Sequence, residues 1–180
     1  MNDSSRPAAA RVGSDDGFSL IELVVVVAIM SILAGVIVPQ LTGRQAAARD
    51  ARRLADLHVV IDAIEQYYAE THQYPAADKS AKHGGWDVSH DGNFISELVT
   101  KGYLRTVIGD PINDETHHFR YYVYDQGSYG CAGPGPYYVI GIRTLETPRA
   151  KADSVGYFKC AQRDWSTEFD YVTGGGATYE

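Results

Sequence analysis

Glu22 stands where the chain turns apolar. It lies near the start of FSLIELVVVVAIMSILAGVIVPQL, which begins at Phe18, and no charged residue occurs from Leu23 to Gly43. A carboxylate at the centre of a lipid-embedded helix costs on the order of 2.5–3.5 kcal/mol, and less near the end of the span. Such a group can reach the water interface, or it can be kept for a cation that another subunit supplies. Cys131 and Cys160 are the only cysteines. They fit one disulfide closing a loop of about 30 residues if that half sits outside the cytoplasm. Two free buried thiols are the alternative, and a membrane span ahead of them favours the bond.

Other residue types that could do chemistry carry less. The six histidines are His58, His72, His83, His90, His117 and His118. Adjacent residues on a strand face opposite sides, so His117 and His118 would not share a ligand. No HExxH, CxxC, phosphate-cradling glycine loop or GxSxG elbow occurs, and the expectation is neither a histidine metal site nor an enzyme. Asp110, Asn113, Asp114 and Asp125 cluster around a turn. Hard oxygen ligands in a loop suit calcium, which makes these four weak calcium candidates. Asp-Pro and Asn-Asp turn chemistry explains them more simply. The tyrosines, 13 in number, concentrate in strand-like segments and fit packed sheet faces.

These residues need elements to position them. The chain has 180 residues, a formal charge of -7 and a mean hydropathy of -0.24. That balance argues against a nucleic-acid coat. The average hides 21 consecutive uncharged residues, Leu23 to Gly43. About 18 or more read as a membrane span, which excludes a purely soluble cytosolic protein. Gly35 and Pro39 weaken the helix locally, yet a membrane helix tolerates both. Beyond Arg44, Leu54, Leu57, Ile61, Ile64 and Tyr68 recur at helical spacing, with Arg49, Arg52, Arg53, Asp56, Asp62 and Glu65 off that stripe. One helix is therefore expected from Phe18 to about His72, ended by Tyr74-Pro75. Residues 76–93 read as a loop, followed by a short helix at Phe94–Leu98. FRYYVYDQGSYG, YYVIGIRTL, VGYFKC and FDYVT read as strands, and Gly174–Gly176 as the start of a loose tail.

The segment GFSLIEL followed by the apolar helix with Pro39 resembles the class III signal of type IV pilins and of type II secretion pseudopilins. The resemblance is specific over about 55 residues and extends in layout to the Tyr-Pro helix end and the Asp-Pro turn. It implies an α+β, pilin-like lollipop. A long N-terminal helix, first transmembrane and then amphipathic, would pack on a small antiparallel β-sheet. The implied division is a leader at 1–17, a membrane and filament-core helix half at 18–43, an amphipathic half at 44–75 and a β-rich head at 76–180. Prepilin peptidase would cut between Gly17 and Phe18, and Phe18 would be N-methylated. Glu22 would then neutralise the terminal amine of the neighbouring subunit, and Gly35 and Pro39 would let the helix stretch.

The implied partners are copies of this chain or related pilins, prepilin peptidase, an inner-membrane assembly platform and, before assembly, lipid. The implied location is the bacterial inner membrane, single-pass with the head outside the cytoplasm, and then a periplasmic or extracellular filament. The function expected is a pilus-like structural subunit, with a secretion pseudopilin as the alternative. Pseudopilins as a group hold calcium in a late loop, which is the only cofactor implied. Asp15 and Asp16 depart from the basic residues usual in such leaders. A count of positive flanks alone, with Arg44, Arg49, Arg52 and Arg53 after the span, would reverse the orientation. The cleavage motif and the cysteines outweigh it. A membrane-anchored or secreted enzyme, cut by signal peptidase near Ala46–Ala48, is the reading of another class.

Overall fold

A computed structural model of the protein describes residues 17–153, 156 and 158–177, without the side chains of 37–42, 152 and 153. Residues 1–16, which make up all but the last residue of the expected leader, lie outside the described part, as does the side chain of Pro39. In chain order the elements are α1 (Leu20–Thr71), β1 (Asp87–Val88), α2 (Ser96–Thr100), β2 (Phe119–Tyr124), β3 (Tyr137–Ile142), α3 (Pro148–Asp153), β4 (Lys159–Cys160), β5 (Arg163–Asp164) and β6 (Tyr171–Gly175). Helix α1 is continuous across Gly35 and Pro39. It ends three residues before Tyr74, at a left-handed His72 with φ 56°. The chain divides into two compact units, Met1–Leu41 and Thr42–Glu180.

In the first unit every described residue from Gly17 to Val36 is exposed. The helix is apolar all round, so it has no water-facing stripe to set against a core. Among the described residues, no helix is long and apolar enough to cross a membrane. The uncharged run Leu23–Gly43 continues through positions 37–42, whose side chains lie outside that description.

In the second unit the α1 segment from Thr42 onward lies on a four-stranded antiparallel sheet of order β1-β2-β3-β6. Central strand β3 is buried along its whole length. Successive residues of a strand face opposite sides, so β3 divides its side chains between two cores. Tyr138, Ile140 and Ile142 join Phe119 and Tyr121 of β2 against Leu57, Val60, Ile64 and Tyr67 of α1. Tyr137 and Val139 join Phe158, Trp165, Phe169 and the two cysteines on the other side.

The expected loop at 76–93 contains strand β1, which pairs with β2 at the sheet edge, and three further expectations need correction. The buried face of α1 is Leu57, Val60, Ile64 and Tyr67, whereas Tyr68 is 38% exposed. Tyr68 stacks on Tyr74 at the rim, with ring centroids 4.4 Å apart. Arg53 is not off the stripe but fully buried, at 0% exposure. Gly174 and Gly175 are not a loose tail, because both pair with β3 in strand β6. A Cβ at Gly174 would lie 2.3 Å from the Phe158 ring and 2.2 Å from the Tyr138 carbonyl. The glycine is what lets Phe158 close the second core over the sheet.

Candidate functional site

The start of α1 is built by its own sequence. Ser19 precedes the first helical residue, and its backbone N–H donates to Glu22 Oε2 at 3.1 Å. Leu23 N donates back to the Ser19 carbonyl at 3.2 Å. Ser-Leu-Ile-Glu thus supplies the carboxylate half of a capping box, satisfying a backbone donor that the helix itself leaves unpaired. The acid also lies at the positive end of the helix dipole. Phe18, immediately outside the cap, is 87% exposed. Gly17 has no atom within 4 Å of a Cβ built on it, and neither has Gly35. An exposed aromatic residue, an acid four residues on and an uncovered apolar helix segment together form a surface that needs a partner.

The second feature sits in the globular unit and was not legible from the stripe as first drawn. Continuing the buried positions of α1 upstream from Leu57 by four and then three residues lands on Arg53 and Asp50. Arg53 Nε and NH2 reach Asp110 Oδ2 and Oδ1 at 2.6 and 3.0 Å. Its NH1 reaches Asp50 at 2.7 Å and Glu146 at 2.6 Å. Arg49 holds Glu146 with two further bonds, at 2.8 and 2.5 Å. Asp50 accepts the backbone N–H groups of Glu146 and Thr147 at 3.0 and 2.8 Å. Two guanidinium groups therefore face three carboxylates and tie α1 to the Asp-Pro turn and to the loop after β3. The Arg49 hydrogen bonds, reinforced by Arg53, hold Glu146 down to about 2 against its burial.

This network accounts for Asp110, whose carboxylate is given to Arg53. Asn113 bridges Ser89: its Oδ1 accepts the Ser89 hydroxyl at 2.7 Å and its amide donates to the Ser89 carbonyl at 3.1 Å. Asp114 Oδ1 accepts the N–H groups of Thr116 and His117 at 2.9 and 2.7 Å. Asp125 follows the far end of the six-residue strand β2, about 20 Å of strand away. The four calcium candidates are thus not drawn to one point. Cys131 and Cys160 are disulfide-bonded, Cα atoms 4.8 Å apart, within the core of Trp165, Tyr137 and Phe158.

Sequence reasoning also passed over Asp87. It is fully buried and accepts N–H bonds from Asp78 at 2.7 Å and Ile95 at 3.0 Å, with Oδ1 unpartnered. Burial raises its pKa to about 7 despite those two donors. His117 and His118 both precede β2, so strand alternation does not apply to them. His118 is buried, and burial followed by the nearby Arg120 charge pushes it down to about 4.

Residues 14–38 match the family described as the prokaryotic N-terminal methylation motif. The chain is 35% identical over 126 residues to the type II secretion system core protein G of Pseudomonas aeruginosa, covering 69% of this chain and 82% of that one. The chain belongs to the type II secretion system core protein G family. The Klebsiella michiganensis member is 33% identical over 111 residues, covering 54% of this chain and 68% of that one. The Escherichia coli member is 25% identical over 127 residues, covering 66% and 81%. No solved structure matches the chain. Among the two filament readings left open by the N-terminal motif, the relatives are secretion core proteins. The family is structural, and its pilin-like α+β layout is the one found here: a long N-terminal helix on a small antiparallel sheet.

Proposed function

We propose that this chain is a filament-forming pseudopilin of a type II secretion system, made as a precursor and assembled through its N-terminal helix. The observation that carries the reading is the helix start: exposed Phe18, and Glu22 bonded to Ser19 N–H at the head of an apolar segment exposed from residue 17 to 36. In this reading prepilin peptidase cuts between Gly17 and Phe18, and Phe18 is N-methylated. Glu22 then accepts the terminal ammonium of an adjoining copy. An ammonium and a carboxylate stranded in apolar surroundings are each penalised alone and stabilise one another as a pair.

Before assembly the helix half at 18–43 lies in the inner membrane, with the head at 76–180 in the periplasm and the amphipathic half at 44–75 carrying it. The inner-membrane platform moves the subunit from lipid into the filament. The apolar surface then exchanges lipid contacts for contacts with related subunits. Gly35 and Pro39 are where the helix lengthens on that transfer.

Intact mass and N-terminal sequencing of the mature protein test the processing. A chain starting at methylated Phe18 supports it, and a start at or after Arg49 overturns it in favour of an ordinary secreted protein. Deleting the gene separates secretion from surface pili. Exoprotein retention in the periplasm supports the secretion reading. Normal secretion with loss of surface filaments overturns it.

A further inference from the structure

Three side chains from separate turns converge on the outer surface of the head. His83 closes the short 3-10 turn Ala81–His83, which ends at left-handed Gly84 (φ 66°). His90 lies in the turn Ser89–Asp91, and Glu115 lies between Asn113 and the start of β2. One ligand atom from each of the three falls within 4.8 Å of the other two. Nε2 of His83 is 3.9 Å from Glu115 Oε2, and Nε2 of His90 is 3.7 Å from Glu115 Oε1. Both distances exceed a hydrogen bond. Among the described residues this is the one such grouping of three His, Cys, Asp or Glu side chains.

The surrounding bonds fix the frame and leave the two imidazoles without a hydrogen bond to Glu115, whose own partner is the exposed Lys82. His118, whose ring centroid is 4.8 Å from that of His90, accepts from Arg120 Nε at 2.9 Å. With Nε2 an acceptor, its proton is on Nδ1, which meets the Asp114 carbonyl at 3.0 Å. His118 is therefore fully used and holds the 114–115 backbone in place. The Ser89–Asn113 bonds and the donation from Phe119 N to Ser89 Oγ at 3.0 Å lock the His90 turn to the Glu115 turn. His90 itself has a buried Nδ1 without a hydrogen-bond partner and its Nε2 beyond bonding distance of Glu115. The ring is half-buried, and its Nε2 faces the Glu115 carboxylate with its lone pair or proton unclaimed by any hydrogen bond from that group.

We propose that His83, His90 and Glu115 bind a zinc-class divalent transition-metal ion, with water in the fourth position. Two imidazoles and a carboxylate are a donor set that such ions take. Metal–ligand distances near 2.1 Å put tetrahedral donors about 3.4 Å apart. The two separations, which run to different oxygens of Glu115, are a few tenths of an ångström wider, and Glu115, with a side chain 60% exposed, has room to turn one oxygen toward both imidazoles. The competitor is Lys82, whose ammonium pairs with Glu115 Oε1; both side chains are well exposed, at 70% and 60%. An exposed pair of that kind is weak, so the ion displaces it. The ion would clamp the turns at 81–83 and 89–91 to the segment at 113–118. This site does not depend on how the N-terminal helix is processed or assembled.

The test uses the full chain in detergent micelles, stripped by a chelator and dialysed against zinc, with cobalt as the spectroscopic probe. One zinc per chain and the visible spectrum of four-coordinate cobalt are expected. Glu115→Gln and His90→Ala should each weaken zinc at least about tenfold. Lys82→Ala should tighten it, and His58→Ala, exposed on α1, should leave it unchanged. Glu115→Gln alters only an exposed side chain, so it keeps the test informative if His90→Ala fails to fold. Absence of saturable binding, or binding unaltered by Glu115→Gln, overturns the proposal.

Discussion

Arg53 and Asp110 meet as a bidentate pair, 2.6 and 3.0 Å long, with both side chains at 0% exposure. They are 57 residues apart in sequence, so the pair joins the amphipathic part of the long helix to the turn that feeds the sheet. Desolvating two charges consumes most of what their attraction returns. What the pair supplies is position: a planar fork accepts a carboxylate in one orientation. Asp50 and Glu146 satisfy the third nitrogen of the same guanidinium.

Removing the cation while keeping volume should expose that dependence. Arg53→Met leaves Asp50 and Asp110 buried and without their counter-ion, a loss of about 3–5 kcal/mol. Denaturant unfolding followed by tryptophan fluorescence measures it, since Trp86 and Trp165 are both buried in the head. A change near zero would mean that the network contributes no net orientation or stability.

Two carboxylates give stability opposite pH dependences. Glu146 is held down to about 2 by the Arg49 and Arg53 hydrogen bonds. Between its unfolded value of 4.5 and about 2, the unfolded chain binds the extra proton. Its contribution is complete above pH 4.5 and is lost as pH falls toward 2. Asp87 is raised from 3.8 to about 7 by burial. In that window the folded chain holds the proton, so stability falls as pH rises from 4 to 7. Glu146→Gln should flatten the acid limb and Asp87→Asn the limb from 4 to 7, each read from melting temperature against pH. Asp87→Asn should also melt higher than the parent at pH 8. Unaltered slopes in either variant would remove that residue from the account.

The bond between Cys131 and Cys160 closes a separation of 29 residues inside the second core. Cys131→Ser should cost about 2–5 kcal/mol. The parent should lose a similar amount in reductant, while the variant should be insensitive to it. Melting curves with and without reductant compare the four states.

Glu22 has two separable tasks. A glutamine can still accept the Ser19 N–H as half of a capping box, but it cannot neutralise an ammonium. If charge pairing drives assembly, Glu22→Gln should block filament formation as fully as Glu22→Ala while both remain membrane-inserted. Filament yield on overexpression, with membrane fractionation as control, decides. Normal filaments from Glu22→Gln would leave capping as the whole of its role.

The reach of sequence reasoning differed from one residue to the next for physical reasons. The long helix was legible because its signals are local: an uncharged run, then helical spacing, then Tyr-Pro. The strands of β2, β3 and β6 were legible from aromatic and β-branched runs. Arg53 was misread because a charge on a helix is ordinarily a water-facing residue. Only the arrival of Asp110 and Glu146 from distant segments makes burying it tolerable. Gly174 was misread because consecutive glycines ordinarily mark a loose end. Here the missing side chain is filled by Phe158.

The amino-acid sequence by itself determined the N-terminal motif, the apolar helix and the family of fold, since each is written in spacing along one segment. The tertiary structure alone decided which charges are buried together and which tyrosine faces the core. It also decided that His83, His90 and Glu115 share one corner. Those facts depend on residues tens of positions apart meeting in space, where desolvation, hydrogen-bond geometry and packing act on pairs that no local pattern records.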